Sequence, residues 1–414
     1  MSSRFWAGWL FFVPLGAVTS QTLLDVALVV LFSGFLFELY KKRQSVNSNA
    51  VVTNAQVPWI GIEWAFAGYL LVIILGFIFV AAPGVEVGFA LKKFVWIANF
   101  YLLIYAFQRA RLKPMPMLYW FSGLFLAPNI YAISTYFTQY DPIAKTNLLG
   151  RVIGMVSSAT YHAHGNAVVF VFFSALLYFY FRKLTVRMKV LAAMAYGLWG
   201  LSIFLTFTRG IWLAIFVSSF LMLLLLSFRK AALLVMTSLL VFTAAYYTWP
   251  AFRETVTETG SRKQSDEREN LLMTNYKIFF DHPFLGLGYT ENTRRIGEYW
   301  DELAMPENYI KSHAHNQFIN VLAGTGVFGL FFFICFIYFF LKKNWLLLRS
   351  TNRMQTPFRY SLLFACFWAQ FEFLLACLTD VTFEYAKIRS LLILVWALVI
   401  ALEIKPSIAN ENET

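Results

Sequence analysis

His315 and Asn316 stand at the head of an apolar run, and Gly326-Val327-Phe328-Gly329 begins after a gap of nine residues. An imidazole takes or gives a proton near neutral pH. At the start of a helix the positive end of the backbone dipole disfavours the imidazolium cation. The pKa of His315 is therefore expected below the usual ~6.5, which makes it a candidate general base. The same helix end would welcome a phosphate oxygen. The plainer alternative is a polar residue capping the helix near the membrane interface. Glycines inside that run each cost roughly 1 kcal/mol against alanine, so they call for a reason beyond helix formation.

Two arginines join this histidine. Arg209 lies in Thr206-Phe207-Thr208-Arg209-Gly210, a turn between two long apolar runs. It is either an interfacial arginine snorkelling to water or a boundary charge with a function. Arg268 opens Arg268-Glu269-Asn270-Leu271-Leu272. It is either a solvated helix residue paired with Glu267 or Glu269, or a ligand for an anion such as a diphosphate, which a guanidinium grips bidentately.

The five histidines are His162, His164, His282, His313 and His315, with two pairs at His-x-His spacing. Such pairs can hold zinc if one residue of each meets across the fold. No Cys falls near them and no His-Glu-x-x-His occurs, so no metal and no cofactor is expected. The carboxylates Asp141, Glu291 and Glu384 are alternative bases.

These residues must be positioned by membrane helices. Of 414 residues, 59% are hydrophobic, 19% aromatic and 14% charged, against about 25% charged in a soluble domain. Apolar runs of about 20 residues, long enough for roughly 30 Å of hydrocarbon, recur throughout. Backbone groups in lipid must be satisfied internally, so the spans are helices. Twelve are expected, near 3–18, 22–40, 58–82, 86–108, 115–138, 163–182, 187–206, 210–228, 230–248, 316–341, 358–378 and 387–403. The first is read as a retained helix, not a cleaved signal. The spans carry no charge at mid-height in this reading. Cys335, Cys366 and Cys377 all fall inside apolar runs and imply no disulfide framework.

The net charge of +12 is mostly a matter of orientation. Alternate connections hold Lys41-Lys42-Arg43; Arg109, Arg111 and Lys113; Arg182, Lys183, Arg187 and Lys189; Arg229-Lys230; and Lys342, Lys343, Arg349 and Arg353. The connections at 19–21 and 83–85 hold none. The positive-inside rule then puts both termini in the cytoplasm, and a nucleic-acid partner is not expected. The chain divides into spans one to nine (1–248), a charged outer insert (249–315), and spans ten to twelve with a tail (316–414). Within 250–315 there are eight Lys or Arg and eleven Asp or Glu, so an anion there must be held by individual arginines. Arg268 to Asp281 is expected as an amphipathic helix with Leu272, Tyr276 and Phe279 on its apolar face, able to lie flat on the outer leaflet. His282-Pro283 and Gly286-Leu287-Gly288 end it. The tail from Asn410 is expected to be disordered.

As a set, these motifs resemble those of the O-antigen ligase and polymerase superfamily. Thr208-Arg209-Gly210-Ile211-Trp212-Leu213-Ala214 is similar to its Arg-Gly-x-Trp-Leu-Ala signature. Arg268-x3-Leu272 with Asp281-His282-Pro283-Phe284-Leu285-Gly286-Leu287-Gly288 resembles its outer-loop signature. His315-Asn316-x9-Gly326-x2-Gly329 looks like the element that marks the ligases. Gly150-Arg151-x2-Gly154 and His164-Gly165-Asn166-Ala167 resemble a further, looser pattern.

The resemblance implies an inverting, metal-independent glycosyltransferase of the integral-membrane type, GT-C-like in fold. Its donor would be O-antigen on undecaprenyl diphosphate. Its acceptor would be lipid A–core oligosaccharide on the periplasmic face of a Gram-negative inner membrane. Arg209, Arg268 and His315 then match catalytic residues, with Arg151, His162, His164, Asn166 and Asn316 as substrate contacts. An O-antigen polymerase shares donor and superfamily, and a protein-glycosylating ligase differs only in acceptor. A lipid or solute transporter is the rival from another class. It would place charges on broken helices at mid-membrane, often in paired repeats.

Overall fold

The computed structural model describes residues 1–46, 59–80, 94–142, 146–147, 150–156, 158–257, 262–305 and 312–409. The expected connection at 83–85 and the tail at 410–414 lie outside them. Helices form at all twelve expected segments. They run Ser3–Thr19, Gln21–Val46, Glu63–Phe79, Val95–Arg109, Pro114–Leu124 with Leu126–Thr138, Ala159–Tyr180, Val186–Phe204, Arg209–Leu226, Phe228–Thr248, Gln317–Ser350, Pro357–Cys377 and Ala386–Ile404. Six of these twelve segments are long and apolar enough to cross a membrane by length and composition. The molecule is an all-α polytopic membrane protein. Its one described sheet is a two-residue hairpin, Tyr140–Asp141 against Thr146–Asn147.

The interior is packed with aromatic side chains, among them the fully buried Trp6, Trp199 and Trp396. Trp199 stacks on Phe125 at 4.5 Å and Trp396 on Phe340 at 4.3 Å. Glu372 departs from the expectation of uncharged spans. It is wholly buried in Pro357–Cys377, with neither carboxylate oxygen hydrogen-bonded to a described group. The basic connections gather at one end of the bundle. There Lys230 lies over Tyr178, Arg353 over Phe179 and Tyr360, and Lys405 donates to the Gln108 carbonyl.

The opposite end carries the insert, whose helices are Pro250–Thr257, Arg262–Asp281, Glu291–Arg294 and Ile296–Glu302. The side of Arg262–Asp281 buried within the protein is Leu271, Thr274, Asn275 and Ile278, while Leu272 and Phe279 are partly buried and Tyr276 is exposed. The reason is tertiary. This helix packs onto Gln317–Ser350, and Asn292 bridges the two by donating to Asn275 Oδ1 at 3.0 Å and Asn320 Oδ1 at 2.9 Å. Tyr276, 42% exposed, is turned away from that contact.

The motif glycines make the docking possible. Gly326 has φ 64°, ψ −170° inside Gln317–Ser350, a region open essentially to glycine alone. The kink frees backbone groups, which pair with the loop after Asp281. Leu287 N donates to Ala323 O at 2.9 Å, Gly288 N to Gly324 O at 3.1 Å and Val327 N to Pro283 O at 2.9 Å. A Cβ on Gly326 would stand 2.3 Å from the Phe284 carbonyl, and one on Gly286 (φ 64°) 2.3 Å from Thr325 N. Gly326→Ala and Gly286→Ala are therefore each expected to cost about 1–3 kcal/mol in backbone strain alone, with the clash added. A lowered melting midpoint and faster proteolysis within the insert would show it. An unchanged melt would mean that the seam does not hold the insert in place.

Candidate active site

A cavity of about 590 Å³ opens where the insert meets the helix ends, and five distant stretches of chain supply its wall. Arg151 and His164 come from the segment around the start of Ala159–Tyr180. Thr208, Arg209 and Gly210 come from the turn between two spans. Glu267 and Arg268 come from the insert helix. His315 precedes the kinked helix, and Thr379 and Asp380 belong to the connection before Ala386–Ile404.

Local packing explains each placement. The 150–156 segment is pinned to the turn after Phe204: Val152 N donates to Leu205 O at 3.0 Å, and Arg151 Nε to Thr206 O at 2.8 Å. Burial, and then the charge of Arg209, lower the affinity of Arg151 for its proton. An anion bound between the two guanidinium groups would relieve their repulsion. Gly210 lets the Arg209 turn close on the neighbouring connection, because a Cβ there would lie 2.5 Å from Thr379 Oγ1.

His315 occupies a left-handed backbone position, φ 49°, of the kind stored at functional sites. Burial depresses its pKa first and the Arg268 charge lowers it further, while Asp380 and Glu267 pull it up, leaving it below the usual value. The direction agrees with the sequence-based expectation, but the structure supplies burial and Arg268 as causes. Its Nδ1 lies 3.8 Å from Asp380 Oδ1, beyond a hydrogen bond. That oxygen is held by His313 Nε2 at 2.8 Å, Val381 N at 2.8 Å and the Tyr385 hydroxyl at 3.2 Å.

His164 has a fixed tautomer. Its Nδ1 faces the Thr160 carbonyl at 2.8 Å, which can only accept, so Nδ1 carries the proton. The buried Nε2 is then a bare acceptor with no hydrogen-bond partner among the described residues.

The cavity thus brings together Arg151, His164, Arg209, Arg268 and His315. Three further expected contacts do not line it. His162 and Asn166 are buried in a polar knot. Asn166 donates to the His162 carbonyl at 2.9 Å, the Trp199 indole donates to Asn166 at 2.7 Å, and His162 Nε2 lies 3.4 Å from Ser202 Oγ. Gly154 (φ 58°) packs so closely on His162 that a Cβ would come within 2.1 Å of its ring. That knot anchors the Arg151 segment. Asn316 is the N-cap, accepting from Phe318 N at 3.0 Å and Ile319 N at 3.1 Å and donating to Leu378 O at 3.3 Å.

The alternative carboxylate bases are engaged elsewhere: Asp141 by the Tyr131 hydroxyl, Glu291 by Arg294 and Glu384 by the Tyr289 hydroxyl. Asp380 and Glu267 are the cavity's carboxylates among the described residues, and sequence reasoning missed both. The available signal for Asp380 was an acid in a short connection on the same face as His315.

A second cleft, about 570 Å³ and mainly apolar, lies between four spans and includes Phe170, Tyr196, Phe204, Trp212, Phe216 and Phe242 in its wall. Its Phe204 and Trp212 flank the turn that carries Arg209.

The fold and site together define a helical membrane protein with a cavity at one end of its spans, lined by three arginines, two histidines and two carboxylates. Residues 192–334 match the family model described as O-antigen ligase, a match that supports membership of the O-antigen ligase superfamily. The matched region holds Arg209, Arg268 and His315. It ends before Asp380 and begins after Arg151 and His164. A comparison with curated proteins finds no match.

Proposed function

We propose that the chain is an O-antigen ligase, an inverting glycosyltransferase that moves O-antigen from undecaprenyl diphosphate to lipid A–core oligosaccharide at the outer face of the inner membrane. The observation that carries this reading is the convergence of Arg151, Arg209, Arg268 and His315 on one cavity. The donor's diphosphate lies against the three arginines, and its polyprenyl chain runs into the apolar cleft below the Arg209 turn. An acceptor hydroxyl attacks the anomeric carbon. The carbon–oxygen bond to the diphosphate breaks, and the hydroxyl proton passes to neutral His315. Arg209 and Arg268 stabilise the charge that develops on the departing phosphate oxygen. One displacement inverts the anomeric centre, so no covalent nucleophile is required. Asp380 orients His315 through its charge, and His164 Nε2 accepts a hydrogen bond from a sugar hydroxyl.

Orientation follows from the basic end of the bundle, which is cytoplasmic by the positive-inside rule. The cavity then faces the periplasm, with both termini in the cytoplasm. The acceptor separates the ligase from a polymerase of the same superfamily. Given labelled carrier-linked glycan and lipid A–core alone, the protein is expected to form a glycan–core product. Elongation that requires a second carrier-linked chain, with no core product, would replace this reading with the polymerase. Transport of an intact lipid with no new glycosidic bond would replace it with a transporter.

A further inference from the structure

We propose that His313, His315 and Asp380 form a divalent-cation site of the zinc class beside the cavity, and that its occupation shuts transfer off. The three residues present ligand atoms within 4.8 Å of one another, the one such cluster of three His, Cys, Asp or Glu found among the described residues. A tetrahedral zinc with bonds of about 2.0–2.1 Å sets its ligand atoms roughly 3.3 Å apart. The 2.8 Å from His313 Nε2 to Asp380 Oδ1 and the 3.8 Å from His315 Nδ1 to the same oxygen bracket that spacing.

The surroundings suit ligation. Ser312 Oγ lies 2.9 Å from His313 Nδ1 and can support the ring as for a ligand histidine, while a metal on Nε2 would replace its hydrogen bonds with Asp380 Oδ1 at 2.8 Å and the Tyr385 hydroxyl at 3.1 Å. Val381 N holds the Asp380 carboxylate from the backbone side. Two imidazoles and one carboxylate select zinc over magnesium or calcium. Of the nearby charges, Arg268 opposes a cation and Glu267 offsets it.

The consequence for transfer rests on the reading of His315 as the base. A metal on Nδ1 fixes the proton of the neutral ring on Nε2. The ring is then a donor and can no longer take the acceptor's proton. Zinc would therefore act as a brake, and chelation would release it.

The test uses the purified full-length protein, stripped with EDTA, returned to chelator-free buffer and titrated with zinc chloride. The wild type is expected to bind one zinc per chain and to lose transfer with the same half-saturation. His313→Gln, which keeps a hydrogen bond to Asp380, is expected to weaken zinc binding at least about tenfold and to transfer in zinc as it does in EDTA. Cobalt in place of zinc should give the visible absorption of a tetrahedral centre in the wild type and not in Asp380→Asn, a readout independent of activity. Melting in EDTA shows whether the variants fold.

Absent zinc binding, or equal binding by folded His313→Gln, would overturn the site. Stoichiometric binding with undiminished transfer would overturn the brake. Binding and the cobalt spectrum without transfer by the metal-free wild type would support the site while sinking the ligase reading.

Discussion

Replacing Arg209 with alanine is expected to lower kcat for glycan transfer by about 10³-fold, with a much smaller rise in donor KM. The charge that Arg209 meets is largest on the departing diphosphate oxygen, so the interaction is stronger in the transition state than in the bound donor. Removing one preorganised donor to such a charge typically costs 10²–10³ in kcat. The side chain stands at the head of a helix whose next residue, Gly210, is packed against Thr379. The melting midpoint of Arg209→Ala separates loss of the guanidinium from loosening of the turn. Arg209→Lys should restore only part of the rate, because an ammonium cannot grip two phosphate oxygens in one plane. A large rise in KM at unchanged kcat would mean that Arg209 merely binds the carrier.

His315→Ala is expected to remove about 10²–10⁴ of the rate, and its pH dependence identifies the role. The wild-type pKa is held below the ordinary histidine value, so the neutral base predominates at pH 7–8. The kcat/KM should be flat there and fall only as pH drops through that lowered pKa. The residual rate of His315→Ala should lack this acid limb. Asp380→Asn removes a charge that raises the His315 pKa. The limb should move to lower pH while the plateau falls, because a weaker base is less effective. A plateau and limb unchanged in His315→Ala would place the proton acceptor elsewhere. Glu267, the other carboxylate in the wall, would then be examined first.

The helices were legible in the sequence because apolar run length is a local property, and all twelve segments are helical. Arg209, Arg268 and His315 were legible because each sits at a break between an apolar stretch and a polar one, and because their motifs resemble a known family. What escaped is what depends on contacts between distant segments. The role of Gly326 is an example. In sequence it is a helix-weakening residue near a histidine, whereas in the fold it unwinds one turn so that 283–288 can pair with 323–327. The insert helix is another. Tyr276 and Phe279 looked like its apolar face, but Asn275, Asn292 and Asn320 decide which side is buried, and they come from three segments. Asp380 has no motif around it and is placed by Gln317 and Asn316, whose side chains bond the backbone of Phe383 and Leu378. Asn166 and His162 carry the signs of a site and serve to hold Arg151 in place.

One cavity, assembled from the 151, 209, 268 and 315 segments, is expected to transfer a glycan from a lipid diphosphate to a core acceptor without a metal. The most direct measurement is transfer of a carrier-linked glycan onto lipid A–core by the purified protein in EDTA, beside Arg209→Ala and His315→Ala. Product from the wild type that survives the chelator and disappears in both folded variants is the predicted result. No product from the wild type with a donor shown to be competent, or wild-type rates in both variants, would contradict it.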